Sequence, residues 1–315
     1  MLGLFILRRT ASGCMPPKGF AAMKNYRHLV LSLGLLLTGL VQSGEPVFDT
    51  HVHLREGEAS LQKFEAEVRT SGIELAGVGA MWFGGPHQAL AGDPAKIRAG
   101  NDGLIGLAAK HPEVVPIGTV HPYDGQAALD VLARIAARGV KTLKIHPHTQ
   151  GFEISDPRVL ALVTKAGELG VAVLMDNAGI VPGDCEDLFN LAVKAQKTRF
   201  IFAHMGGAKF RFWNILVLAR TADGFALDNV NFDISGAVLL AADTPIEKEF
   251  VWTLRNVGID HVMLGSDYPQ ISLARMVEAL EKLDLTNEEK TAILSGNARR
   301  ILGAAEKKHL KGLVN

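Results

Sequence analysis

Residues 47–53, Val-Phe-Asp-Thr-His-Val-His, place Asp49, His51 and His53 at alternate positions after an apolar start. Side chains alternate faces along a strand, so these three share one side. Two imidazoles on one face form either a chelating pair for a divalent cation or a polar edge strand with incidental histidines. The chain has 11 histidines. His28 lies in an N-terminal apolar segment, His111 at a helix end, His261 before a strand and His309 in the C-terminal tail. His51, His53, His121, His146 and His204 end predicted strands or follow them at once, and His87 and His148 fall in the loops beyond. Random placement would also scatter histidines to strand starts and helix faces. Their gathering at strand ends is the strongest chemical signal in the chain.

Other strand ends add donors. In Phe-Ile-Phe-Ala-His-Met-Gly-Gly (200–207), alternation puts Phe200, Phe202 and His204 on one face. Gly206 and Gly207 permit close approach of backbone or ligand there. A capped core histidine is the alternative for His204. Val-Met-Leu-Gly-Ser-Asp-Tyr-Pro (262–269) ends on Asp267, a helix N-cap or a ligand. His51, His53, His204 and Asp267 together offer nitrogen and carboxylate donors suited to Zn2+, Mn2+ or Fe2+. Lys144 and His146 share a face in Leu-Lys-Ile-His-Pro-His (143–148). A buried lysine there needs an anion, supplied by a substrate carboxylate or by a salt bridge inside the protein. Asp176 and Asn177 end the fifth apolar run, where either can also shape the loop.

A repeated strand–helix unit is what must position these side chains. Apolar runs recur at 47–50, 74–82, 114–120, 140–145, 171–175, 199–203, 230–235 and 262–266. Helix-period stretches such as 125–138 and 155–169 lie between them. Ser155 or Asp156 caps the second, with Pro157 in its first turn. Thr286 and Glu289 make a capping box at the start of 285–302. Eight such repeats predict an α/β fold, a single-domain (β/α)8 TIM barrel over residues 45–305, followed by a tail at 306–315. In a barrel the first and eighth strands are neighbours, which sets Asp267 opposite the histidine pair. A doubly wound open sheet is the rival, but no G-x-G-x-x-G follows the first strand.

Composition is that of a globular protein, 48% hydrophobic and 21% charged, and formal charge is zero. That balance gives no electrostatic footprint for nucleic acid. It also hides an asymmetry: residues 1–44 contain Arg8, Arg9, Lys18, Lys24 and Arg27 but no acid, leaving 28 basic against 33 acidic residues beyond. From Met23 the chain reads as a basic segment, a 13-residue apolar run at 29–41 and small residues at Ser43 and Gly44. This is the pattern of a secretory signal peptide. The run is shorter than the roughly 20 residues that span a bilayer. The expectation is a start at Met23 with residues 1–22 as an upstream extension, removal of 1–44, and an exported protein, periplasmic or secreted, without stable membrane insertion. An organelle transit peptide is the alternative. Only Cys14 and Cys185 are present, and Cys14 leaves with the leader, so neither a disulfide nor thiolate metal chemistry is expected.

In chain order, Phe-Asp-Thr-His-Val-His, Gly-Val-Lys-Thr-Leu-Lys-Ile-His-Pro, Phe-Ile-Phe-Ala-His-Met-Gly-Gly, Leu-Gly-Ser-Asp-Tyr-Pro and Gly-Asn-Ala-Arg-Arg-Ile-Leu resemble the amidohydrolase superfamily. They are most similar to the amidohydrolase 2 branch, which includes aminocarboxymuconate-semialdehyde decarboxylase. The likeness covers about residues 47–303. It implies a (β/α)8 barrel with one divalent metal, zinc first, manganese or iron as alternatives. It implies His51 and His53 as first-strand ligands and Asp267 as eighth-strand ligand and proton acceptor. His204 would be the sixth-strand histidine that orients water or substrate, and Asn297 would be structural. The departure is on strand five, where many relatives carry a metal-binding histidine and this chain has Asp176. Either Asp176 replaces it as a carboxylate ligand, or the site is weaker or lost. Some relatives, such as the pyrone dicarboxylate lactonase, work without bound metal. A carboxylated strand-four lysine bridges two metals in binuclear members, but Lys144 lacks the strand-five histidine that accompanies it.

The function expected from this resemblance is metal-dependent hydrolysis of a small polar or anionic substrate. Asp267 would take the proton of a metal-activated water. His204 would steady the oxyanion, while Lys144, His146 and His121 hold the substrate. A nonoxidative decarboxylase of the same branch and a catalytically silent ligand-binding barrel are the alternatives. Substrate identity and oligomeric state stay open, a homo-oligomer included.

Overall fold

The predicted apolar runs become eight parallel strands, each hydrogen-bonded to the next in chain order. They are β1 (Val47–His53), β2 (Leu75–Met81), β3 (Val114–Gly118), β4 (Thr142–Ile145), β5 (Ala172–Asp176), β6 (Phe200–Ala203), β7 (Val230–Asp233) and β8 (Val262–Met263). The computed structural model describes residues 44–84, 87–222 and 227–303. The expected leader and C-terminal tail fall almost wholly on residues 1–43 and 304–315, outside the described residues. Among the described residues no helix is long and apolar enough to cross a membrane.

Helices alternate with the strands to complete a single-domain (β/α)8 barrel. In order these are α1 (Glu58–Thr70), α2 (Pro94–Ala108), α3 (Gln126–Ala137), α4 (Pro147–Gln150), α5 (Pro157–Glu168), α6 (Asp184–Lys194), α7 (Ile215–Ala219), α8 (Ala237–Ala241), α9 (Glu247–Val257), α10 (Leu273–Lys282), α11 (Asn287–Thr291) and α12 (Asn297–Leu302). Helix α3 shows why: Ala128, Val131, Leu132 and Ile135 recur at helical spacing and are all buried. Asp156 caps α5 by accepting from the Arg158 amide, and Pro157 follows it. The capping box of Thr286 and Glu289 opens α11.

Three local differences from the sequence expectation matter for the site. First, β1 extends through both histidines as alternation required, but every one of its residues is buried, so it is no polar edge strand. Second, β8 stops at Met263 because the Leu264 amide donates to the Ile293 carbonyl at 3.1 Å. That carbonyl lies in a π-helical turn at 292–296, which divides the predicted 285–302 helix. Third, strand alternation does not carry His204 into place. Its φ is 62°, so the chain leaves β6 through a left-handed turn.

The barrel closes where β1 meets the segment beyond β8. The Thr50 amide donates to the Leu264 carbonyl at 3.1 Å, and the His53 amide to the Tyr268 carbonyl at 2.9 Å. Asp49 braces this seam, its Oδ1 accepting from the amides of His51 at 3.1 Å and Ser266 at 2.8 Å. Asn297 ties α12 to β8 by donating to the carbonyls of Ile259 and Val262, both at 2.7 Å, the structural role expected of it. Asn177 likewise fixes a loop: its Oδ1 accepts from Trp213 Nε1 at 3.1 Å, and Trp213 stacks on Phe202.

Candidate metal centre and active site

The C-terminal ends of the strands carry the chemistry. On β1, His51 Nδ1 donates to Asp233 Oδ2 at 2.6 Å and His53 Nδ1 donates to the Phe83 carbonyl at 2.5 Å. Each Nδ1 is thus engaged on its outer side, leaving the Nε2 atoms to face Asp267. Both converge on Asp267 Oδ1, at 3.5 Å from His51 and 3.2 Å from His53. Gly265 makes room for this, since a Cβ there would stand 2.7 Å from Asp233 Oδ1 and 2.8 Å from the His51 Cβ. Asp267 itself takes a left-handed backbone with φ 62°, a conformation that costs a non-glycine residue about 1–3 kcal/mol and clusters at functional sites.

Charge states sharpen the picture. Burial, aided by the Lys144 ammonium, pushes His51 down to about 4 despite Asp233, so the ring is neutral near pH 7. Burial would raise Asp267, but the hydrogen bond with His53 and the nearby His51 and His204 outweigh it and hold the carboxyl well below its usual range. His51 Nε2, His53 Nε2 and the Asp267 carboxylate thus crowd one point, where a divalent cation would take the place of a shared proton. The donor atoms of His51, His53 and Asp267 all lie within 4.8 Å of one another. Two histidines and one carboxylate, with each Nδ1 fixed by an outer acceptor, fit a first-row divalent metal. Asp233→Asn is expected to weaken metal affinity by about ten- to a hundredfold, read by competitive chelator titration, because it removes the charge that orients His51.

A second cluster lies beside the first. Asp176 Oδ1 stands 3.2 Å from His204 Nε2 and 3.5 Å from His146 Nε2. His204 Nδ1 is directed at the Ser235 carbonyl, 2.9 Å away. Burial disfavours charge on His204, yet the hydrogen bond and charge of Asp176 win and raise it to about 9. Asp176 is held well below its usual range, the His204 bond and the Lys144 charge overcoming burial. Burial pushes His146 down to about 3. The result is an ionised carboxylate against a protonated His204, with a neutral His146 alongside. Asp176 is not among the three residues whose donor atoms lie within 4.8 Å of one another.

The remaining expectations divide. His146 lines the cavity, whereas Lys144 does not. Lys144 is 1% exposed, and its Nζ makes no hydrogen bond among the described residues. Burial lowers its basicity, and the charges of Asp176, Asp267 and Asp233 oppose that only in part. His121 does not reach the cavity. Its Nε2 donates to the Gln150 carbonyl at 2.7 Å and its Nδ1 accepts from the Tyr123 amide at 3.1 Å, leaving no ring nitrogen for a substrate. Asp233 and the Phe83 carbonyl went unnoticed in the sequence. Asp233 ends an apolar run just as the histidines do, so the same strand-end criterion applied to carboxylates would have found it. The Phe83 carbonyl has no sequence signal.

Asp176, His204, His146, Asp267 and Ser235 border a cavity of about 640 Å³ at the C-terminal face. A (β/α)8 barrel with a histidine pair on β1 and an aspartate beyond β8 defines a class of barrel enzyme built around a divalent metal. Within that class this chain belongs to the amidohydrolase family, whose model, described as Amidohydrolase, matches residues 48–304. No curated protein matches the chain. Among solved structures it is similar to 5-carboxyvanillate decarboxylase from Sphingomonas paucimobilis (17% identity, TM-score 0.62, covering 77% of this chain and 83% of that one). It is also similar to 2,6-dihydroxybenzoate decarboxylase from Rhizobium (14%, TM-score 0.60, 82% and 99%). A third is 5-carboxyvanillate decarboxylase from Novosphingobium aromaticivorans, complexed with manganese and 4-hydroxy-3-methoxy-5-nitrobenzoic acid (17%, TM-score 0.57, 82% and 96%). At these identities the likeness establishes the fold.

Proposed function

We propose that this chain is a nonoxidative decarboxylase of a small carboxylic acid, dependent on a divalent metal held by His51, His53 and Asp267. The observation that carries this reading is His204, paired with Asp176 at 3.2 Å, on the same cavity as Asp267 of that trio. When bound, the metal supplies the positive charge that holds and orients the substrate carboxylate. Asp267 and the two histidines fix that charge at one side of the cavity. As the bond to the carboxyl carbon breaks, its electron pair stays on the substrate carbon and carbon dioxide departs. His204 gives its proton to that carbon and is reprotonated from solvent, while Asp176 stabilises the charged imidazole. His146 offers a neutral ring for polar contact. Decarboxylation by the similar structures, one of them with manganese, supports both the reaction and a choice of manganese alongside zinc.

Hydrolysis, the first expectation from the sequence, is the second reading. The ionised Asp267 supports it, as the group able to take a proton from water. Export belongs to the same proposal and rests on the leader pattern in residues 1–44.

The test is to load the protein with manganese or zinc in D2O. It is then incubated with 2,6-dihydroxybenzoate, 5-carboxyvanillate and related acids, and in parallel with esters and lactones. The expected result is release of carbon dioxide with one deuterium at the carbon that carried the carboxylate. Cleavage of esters or lactones without carbon dioxide would select hydrolysis instead.

A further inference from the structure

Seven large apolar side chains are markedly exposed among the described residues, and three of them, Ile180, Val181 and Leu240, line this one cavity. Their exposures are 80%, 39% and 52%. Ile180 and Val181 follow β5 in the loop that begins at Asn177, and Leu240 lies on α8 after β7. Ala178 and Ala237 continue the apolar wall inward from those two elements. The opposite character holds at the floor, where Asp176, His204, His146 and Asp267 gather. Among the described residues, neither lysine nor arginine lines the cavity, nor does any phenylalanine, tyrosine or tryptophan.

Resting on the decarboxylase reading, we propose that the substrate is an amphipathic monocarboxylate whose apolar arm runs from the floor to a lip formed by Ile180, Val181 and Leu240. The polar end of the cavity takes one anionic group. Lys209 Nζ is engaged by the Val181 carbonyl at 3.2 Å, and a second carboxylate set among the aliphatic side chains would lose its hydration. A scattered exposed apolar residue needs no explanation, but three around the mouth of a functional cavity mark a surface that is covered during use. A cavity of about 640 Å³ is within the range that encloses a ligand of drug size. Because the lip continues the wall of the reaction cavity, the occupant is the outer part of the substrate rather than a separate partner. Ile180, Val181 and Leu240 are then specificity-determining residues that act on binding and not on the bond being broken.

The probe is a series of straight-chain carboxylates from acetate to decanoate, titrated calorimetrically into manganese-loaded protein. Affinity is expected to rise about fourfold with each methylene over the middle of the series and then level off as the chain passes the lip. Ile180→Asn and Leu240→Asn should flatten that rise at the longer chains. Acetate, too short to touch the lip, should bind both variants within about twofold of the wild type. Acetate binding without any gain for longer chains would overturn the apolar arm while leaving the decarboxylase reading intact. An equal gain in wild type and variants would also overturn it, by placing the tail elsewhere. A dimer that Leu240→Asn converts to monomer, with no chain-length dependence, would assign the lip to self-association instead. Failure of every carboxylate, acetate included, to bind metal-loaded protein would remove the carboxylate site together with the inference.

Discussion

Asp267→Asn should lower kcat/KM by at least about a hundredfold on any acid the wild type decarboxylates, the low end for losing a charged group in direct contact with the reaction. Its effect on stability separates a metal ligand from a structural carboxylate. In metal-free protein at pH 8, Asp267 sets an ionised oxygen 3.2 Å from His53 Nε2 and 3.5 Å from His51 Nε2. Asparagine removes the carboxylate that the His53 bond and the neighbouring histidines hold well below its usual range, so the metal-free variant should unfold somewhat below the wild type. Adding metal should widen the difference in favour of the wild type. Saturation to a hundred times Kd stabilises a folded protein by about 2.7 kcal/mol, and a variant binding ten- to a hundredfold more weakly forfeits about half or more of that gain. A variant that gains as much from metal as the wild type would make Asp267 a scaffold residue.

Asp176→Asn carries the second large effect, and its signature is a pH profile. Asp176 raises His204 to about 9, so the imidazole holds its proton through neutrality. Without the carboxylate, His204 falls to its ordinary 6.5 or lower, since burial then acts unopposed. At pH 8 the protonated fraction drops by about thirtyfold on that change, and turnover should drop with it. The alkaline limb of the rate profile should move down by two units or more. Stability follows the same sign. A histidine whose folded value is raised contributes stability that is complete below about 6.5 and is lost as pH climbs through about 9. The unfolding temperature of wild-type protein should decline across that window more steeply than that of Asp176→Asn. Metal content should survive the substitution, because Asp176 stands outside the trio. A tenfold loss of metal affinity would instead make Asp176 the carboxylate replacement for the strand-five histidine of its relatives.

Most of the scaffold was legible because buried parallel strands must be nearly continuous apolar runs, and eight of them alternate with helical periods. What escaped were features set by tertiary contact. The two-residue length of β8 follows from a hydrogen bond between Leu264 and Ile293, which no local pattern announces. The left-handed turn at His204 replaces the alternation that the run Phe200–Phe202 suggested, and a non-glycine residue gives no warning of it. In the site, histidines and Asp267 stood out because ligand types at strand ends are rare by chance. His121 shares that position but turns into the following loop, where backbone groups take both nitrogens. Lys144 was legible as a buried cation needing anions. Which anions act on it depends on Asp176, Asp233 and Asp267 meeting across the barrel, and only the closed ring brings them together.

Metal titration of purified protein tests the central claim most directly. Wild-type chain is stripped with chelator, reconstituted with manganese or zinc, desalted and analysed for bound metal beside His51→Ala/His53→Ala. One metal per chain is predicted for the wild type. The double variant should keep less than about a tenth of that, with the far-ultraviolet signature of an intact barrel, because the removed rings are the ligands and not the core. A wild-type protein that retains no divalent metal after reconstitution, or a double variant that retains as much as the wild type, would contradict a centre built on His51, His53 and Asp267.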